Sequence, residues 1–200
     1  DLIQRCRFLL EKLSPMLDIR VALKALKYVC EVHVVSVDGE CRELLLLLGG
    51  HCCGPVSFHC VNLGRRPVAF CVQEAETVLP VVADVPLEYL YEPNASVLKA
   101  GVQDALCARF DVEKLHRNSN LFTASRLVEN FPGRAFRVQA CHDFSKQSLK
   151  SLQAQMTKAN LTVRNFPSTV EQLRKRLKLK DGGDVYLFAT TLSGDRHVLL

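Results

Sequence analysis

The chain has 200 residues, 48% of them hydrophobic and 24% charged, a globular composition that excludes a disordered or low-complexity chain. Its longest uninterrupted apolar run, residues 44–48, is far shorter than the ~18–20 residues a membrane span requires, and the first ten residues lack the layout of a signal peptide. The net charge of +5 is unevenly distributed: from residue 134 onward 12 Lys/Arg face 5 Asp/Glu, whereas residues 1–133 hold 14 against 16.

A basic tail suits a polyanionic partner, because phosphate binding is driven by local positive charge; a solvated surface is the plain alternative. The nine cysteines are odd in number, irregularly spaced and set mostly in apolar runs, which reads as reduced thiols in the cytoplasm.

In chain order, the apolar run at residues 8–13 stops at Ser14-Pro15, where serine can cap a helix and proline suits its first position. Apolar residues then cover nearly the whole circumference over 16–29, leaving the stripe Arg20, Lys24, Lys27 for water, so the pattern predicts a helix packed on a sheet. Residues 32–37 read as a buried strand, and Asp38-Gly39 followed by the apolar run 44–48 reads as a hairpin, with a short helix over 40–48 as the alternative.

Gly49-Gly50 and Gly54-Pro55 break the chain before strands at 56–63 and 68–72. This is how an open α/β sheet ends, yet its earlier strands are missing. The chain therefore reads as part of something longer, with an exposed sheet edge that predicts a homodimer.

Residues 73–92, with Pro80 and Pro86, read as a connection. Asn94 caps a predicted helix over 95–110, with Gly101 inside it at a cost of about 1 kcal/mol relative to alanine. From residue 134 the pattern is regular: strand 135–141, helix 145–158, strand 160–164, helix 169–179, strands 184–191 and 197–200. This is a small α+β sandwich with its helices on one face, and Ser168 with Glu171 form a capping box before the last helix.

No glycine-rich turn follows a first strand with an acidic residue about 20 positions on, and no P-loop or nucleophile elbow is present. Gly49-Gly50 and Gly182-Gly183 read as tight turns. His51-Cys52-Cys53 with His59-Cys60 put five candidate zinc ligands in one short stretch, but adjacent cysteines seldom share one ion and the paired two-residue spacing is missing, so no metal site is assigned. His33, His116, His142 and His197 read as isolated, Asp84, Glu88 and Glu92 as solvated carboxylates, and no catalytic residue is assigned.

The strongest physical feature is the last helix. Val170, Leu173 and Leu177 fall on one face and Lys175 lies opposite, flanked by Arg176 and Lys178; Arg174, Lys180 and Arg164 extend the basic surface. Such a face would grip a phosphate backbone without reading sequence.

Several ordered segments carry a resemblance. They are Lys12-Leu13-Ser14-Pro15-Met16-Leu17-Asp18, Glu31-Val32-His33-Val34-Val35-Ser36-Val37, Tyr91-Glu92-Pro93-Asn94 with Lys99-Ala100-Gly101, Asn130-Phe131-Pro132-Gly133-Arg134, Arg164-Asn165-Phe166-Pro167, and the stretch 180–191 that contains Gly182-Gly183. Together they resemble a bacterial, Bacteroidetes-type family of class I SAM-dependent methyltransferases with a ferredoxin-like insert and a THUMP-like domain.

The resemblance implies that residues 1–73 are the C-terminal part of the methyltransferase sheet, 74–133 a linker and ferredoxin-like segment, and 134–200 the THUMP-like domain. It also implies a tRNA or rRNA partner, S-adenosylmethionine in the full-length parent with none bound by this fragment, and no methyl transfer by the fragment alone. Three readings stay open: an RNA-docking region, a structural or protein-interaction module, and an enzyme or metal protein built around residues 51–60.

Overall fold

A computed structural model describes the chain except residues 1, 51, 53, 75, 77 and 78. The fold is α+β, with three sheets, and divides into two compact units: Asp1–Leu79 with Pro93–Phe110 and Glu129–Arg134, and Pro80–Glu92 with Asp111–Val128 and Ala135–Leu200.

The first unit is built on a five-stranded sheet in the order β1-β3-β2-β4-β5. These strands are β1 (Leu9–Leu13), β2 (Val29–Val37), β3 (Glu40–Leu48), β4 (Ser57–Leu63) and β5 (Val68–Gln73). β2 and β4 run parallel and the other neighbours antiparallel. The Asp38-Gly39 hairpin forms as predicted: both residues take left-handed φ, 51° and 83°, the conformation a two-residue turn needs to follow the strand twist. The alternative helix over 40–48 is overturned, because strict alternation buries Leu44, Leu46 and Leu48 on one face.

That face, continued by Val32, Val34, Phe58, Cys60, Phe70 and Val72, is the core of the unit. α1 (Ile19–Ala25) contributes Ile19 and Ala22 to the buried set, and α2 (Ala95–Ala100) packs on β2, β3 and β4. The opposite face carries the half-buried residues Glu31, His33, Val35, Leu45, Leu47, His59 and Val61.

Both predicted helices of this unit need correction. The first is capped by Asp18, whose carboxylate accepts from the backbone N–H groups of Arg20 at 2.8 Å and Val21 at 3.3 Å, rather than by Ser14. It ends at Ala25, since Val29 pairs with Leu48 in the sheet and Tyr28, at φ 65°, turns the chain into that strand.

The second is two helices, α2 and α3 (Ala105–Phe110). Gly101 terminates α2 in a left-handed conformation (φ 70°, ψ 27°), its N–H meeting the Leu98 carbonyl. Asn94 stands at the N-cap position as predicted but makes no side-chain cap; its backbone N–H donates instead to the Pro132 carbonyl at 2.9 Å.

The expectation that all cysteines are reduced is also corrected. Cys30 and Cys52, their Cα atoms 5.5 Å apart, form a disulfide, and among the free cysteines Cys6, Cys71 and Cys141 are exposed.

The second unit holds two four-stranded sheets. In one the order is β10-β13-β12-β11, from β10 (His142–Asp143), β11 (Asn160–Arg164), β12 (Tyr186–Leu192) and β13 (Arg196–Leu199). Helices α4 (Lys146–Gln155) and α5 (Val170–Leu177) seal one face: Leu149, Leu152, Leu173 and Leu177 pack with Leu161, Leu187, Ala189 and Leu199.

On the other face Phe188, Leu192 and Val198 meet Leu90, Leu115 and Leu121. These come from, or lie beside, the small sheet β7-β8-β6-β9, made of β6 (Tyr89–Pro93), β7 (Glu113–Lys114), β8 (Phe122–Ala124) and β9 (Gly133–Arg137). Among the described residues no helix is long and apolar enough to cross a membrane.

Candidate nucleic-acid interface

The chain following β11 contains two overlapping frames for a capping box, Ser168 to Glu171 and Thr169 to Gln172. The second is used, a one-residue correction. The Thr169 hydroxyl accepts from the Gln172 N–H at 3.3 Å, and the Gln172 amide oxygen accepts from the Thr169 N–H at 2.9 Å. This frees Glu171, fully exposed, for the first turn, where its own backbone N–H and the Thr169 side chain hold its carboxyl below the usual carboxylate range.

The frame places Leu173 and Leu177 in the core, and it fixes where the cations of α5 point. Lys175 and Arg176 are exposed, as are Lys178 and Lys180 in the turn that follows; Lys178 closes the helix in a left-handed conformation at φ 55°. Arg176 lies with its guanidinium carbon 4.8 Å from the Phe144 ring centre, a cation–π contact that steadies it without neutralising it.

Lys180 forms a parallel bridge with Lys158, which is also exposed. Among the described residues Lys158, Lys175, Lys178 and Lys180 make no ion pair. Lys158 escapes sequence reading because it looks like the last cation of the predicted 145–158 helix, whereas α4 ends at Gln155 and the bridge brings Lys158 to the surface of Lys180. Gly182 and Gly183, at φ 92° and 89°, form the turn beside it, and the Asn160 amide donates to the Gly183 carbonyl at 2.7 Å.

Two of the six predicted cations are placed differently. Arg174 is 2.7 Å from Asp181 and mostly covered. Arg164 is 2.7 Å from Glu92, whose side chain is only 5% exposed. Glu92 is thus a buried, paired carboxylate and not a solvated one.

Among the remaining motif residues, Pro93 ends β6, Lys99 lies in the last turn of α2, and Pro132 receives the Asn94 N–H. Gly133 and Arg134 open β9, with Arg134 exposed. Asn165, at φ 49°, holds the His116 ring with its side-chain amide at 3.0 Å, and Pro167 lies in the turn that leads into α5.

Three of the four histidines read as isolated have side-chain partners. His116 also lies 3.4 Å from Asp195, His197 bonds the Thr191 hydroxyl at 3.0 Å, and His33 stacks on His59. The zinc candidates His51 and Cys53 lie outside the described residues. Of their companions, Cys52 is tied to Cys30 and Cys60 is buried with its thiol pushed up to about 12.

The surface of α5 falls within a recognisable segment. Residues 133–200 match the family model of a THUMP domain-like domain. Residues 89–132 match that of a ferredoxin-like domain. Over its whole length the chain is similar, at 35% identity and a TM-score of 0.92, to a crystal structure described as a "putative methyltransferase" from Porphyromonas gingivalis W83.

It covers 100% of this chain and 51% of that one, so the chain spans about half the length of the Porphyromonas protein. Comparison with curated proteins gives no match. The chain thus carries a segment that matches a ferredoxin-like domain followed by one that matches a THUMP-like domain.

Proposed function

We propose that this chain is the RNA-docking part of a SAM-dependent RNA methyltransferase whose cofactor-binding part lies outside residues 1–200. The observation that carries the reading is the exposed, unpaired set Lys158, Lys175, Lys178 and Lys180 in the segment that resembles a THUMP domain, the kind of module that delivers RNA to modifying enzymes. Such lysines displace the cations condensed on a phosphate backbone, which gives affinity without sequence readout. Arg176, held over Phe144, adds a planar donor suited to a phosphate oxygen.

S-adenosylmethionine would supply the methyl group in the parent protein. The residues present here do not fit it: none of the strand-to-helix connections, at residues 14–18, 94, 144–145 and 165–169, contains a glycine that would let the backbone approach a cofactor. The role of this chain is therefore binding and orientation.

The test is binding to a bulk tRNA pool at two salt concentrations, with a variant carrying Lys175→Ala, Arg176→Ala, Lys178→Ala and Lys180→Ala alongside. Micromolar binding that weakens with salt and is lost in the variant supports the reading. Absence of binding at low salt overturns it in favour of a protein-interaction module.

A further inference from the structure

On the face of the first unit's sheet that α2 does not cover, four chemically versatile side chains are brought together by strand register. His33 on β2 is directly opposite His59 on β4, and His59 is directly opposite Cys71 on β5. Glu31 lies two residues before His33 and so on the same face.

The two imidazoles stack, with ring centres 4.5 Å apart and planes within 9°. Glu31 Oε2 is 2.7 Å from His33 Nε2 and 3.8 Å from His59 Nε2. On its other side His59 Nδ1 is 3.2 Å from the Cys71 sulfur.

We propose that Glu31, His33 and His59 form a binding site for a divalent transition-metal ion of the zinc class, with Cys71 orienting His59. Ligand atoms on a tetrahedral zinc, bonded at about 2.0–2.1 Å, stand about 3.4 Å from one another. The two separations from the carboxylate oxygen bracket that spacing, one needing to open by about 0.7 Å and the other to close by about 0.4 Å, while the stacked rings must turn out of parallel for both Nε2 lone pairs to reach one ion. All three donor atoms lie within 4.8 Å of one another.

The local chemistry favours a cation at this point. In the tautomer that donates Nδ1–H to the Cys71 sulfur, His59 presents the Nε2 lone pair on the side of the Glu31 carboxylate, the form that ligates a metal. A metal ion at this point replaces the hydrogen bond between His33 and Glu31 with coordination to both. A second hydrogen bond that fixes the tautomer of a ligand histidine is the usual support for such a site.

Two imidazoles and one carboxylate are a ligand set suited to zinc, which leaves a fourth position for water or another ligand. The side chains are about one-third exposed, 36% for Glu31, 31% for His33 and 30% for His59, so an ion can enter from solvent. The backbones that carry them are held in two adjacent strands, β2 and β4, which limits the rearrangement that binding requires. This site is separate from the cations of α5 and independent of the RNA-docking reading.

The experiment uses the full chain after exhaustive chelation. Calorimetric titration with Zn2+ and visible absorption with Co2+ are compared between the native protein and the variants His33→Gln, His59→Gln and Glu31→Gln, each first shown to melt cooperatively in the metal-free state. One equivalent of Zn2+ that is lost in both histidine variants, a Co2+ spectrum of low coordination number lost with it, and affinity reduced by about 10- to 100-fold in Cys71→Ala support the site. Zn2+ binding of unchanged stoichiometry and affinity in His33→Gln and His59→Gln, or no binding by the native chain, overturns it.

Discussion

The guanidinium of Arg164, at the end of β11, lies 2.7 Å from the carboxylate of Glu92 on β6, so a residue of the β10–β13 sheet neutralises a buried charge on the small sheet. Arg164 is 40% exposed and Glu92 5%. The burden of the pair therefore falls on the carboxylate, which loses this contact if the arginine is removed. Arg164→Ala is expected to cost about 2–3 kcal/mol, below the ~3–5 kcal/mol of a fully buried pair because Arg164 keeps part of its hydration. Adding Glu92→Gln to that variant should recover part of the loss. Urea denaturation of the two variants checks both, and an Arg164→Ala protein as stable as the parent would contradict the assignment.

The same contact separates Arg164 from the docking surface. The triple variant Lys175→Ala, Lys178→Ala, Lys180→Ala should lower the slope of log affinity against log salt by about 2, at ~0.7 per phosphate contact on single strands. Arg164→Ala, provided it remains folded, should leave that slope unchanged. Fluorescence anisotropy with labelled tRNA over a salt series reads this directly.

Cys60 is 1% exposed, and burial, with the nearby Cys71 adding to it, pushes its thiol up to about 12. In the folded protein at pH 8 it should resist alkylation, while the exposed Cys6 and Cys71 are labelled. The folded-state pKa is raised, so its contribution to stability is complete below the ordinary thiol range and is lost as pH rises from about 9 to 12. Over that window the native protein should lose up to about 1.4 kcal/mol per pH unit more than Cys60→Ala does. Peptide mass mapping after alkylation and denaturation at graded pH test the two halves.

Gly101 ends α2 at φ 70°, and a Cβ built there would meet nothing within 4 Å. Gly101→Ala should therefore show backbone strain alone, about 1–2 kcal/mol. A much larger loss in thermal or chemical melting would show a steric contact that the geometry does not contain.

The two capping frames before α5 are distinguishable in the same way. Thr169→Ala should cost about 1 kcal/mol, whereas Ser168→Ala should have little effect on stability. The reverse order would restore the frame expected from sequence.

Much of the fold was legible because it is local. Apolar runs bounded by turn residues placed β4 and β5 to within a residue and β2 with its start three residues late, and the Asp38-Gly39 hairpin follows from a turn chemistry that acts within four residues. Strand β11 lies where the pattern put it, over Asn160–Arg164. The first helix and the 95–110 helix were mis-bounded because periodicity cannot rank competing caps: Asp18 won over Ser14 by accepting two backbone bonds, and Gly101 stopped a helix that its apolar pattern would have continued. Strands β7 and β8 are two and three residues long, too short to carry a period.

By itself the sequence determined the basic character of the tail, the α+β pattern after residue 134 and the faces of α5, because net charge and amphipathic period are properties of consecutive residues. Tertiary structure alone decided which cations stay available and which are neutralised. Arg164 and Glu92 are 72 residues apart, and Lys158 and Lys180 meet only through a bridge. It also decided that His33, His59 and Cys71 stand side by side, since cross-strand register, not sequence spacing, sets which side chains share one face of a sheet.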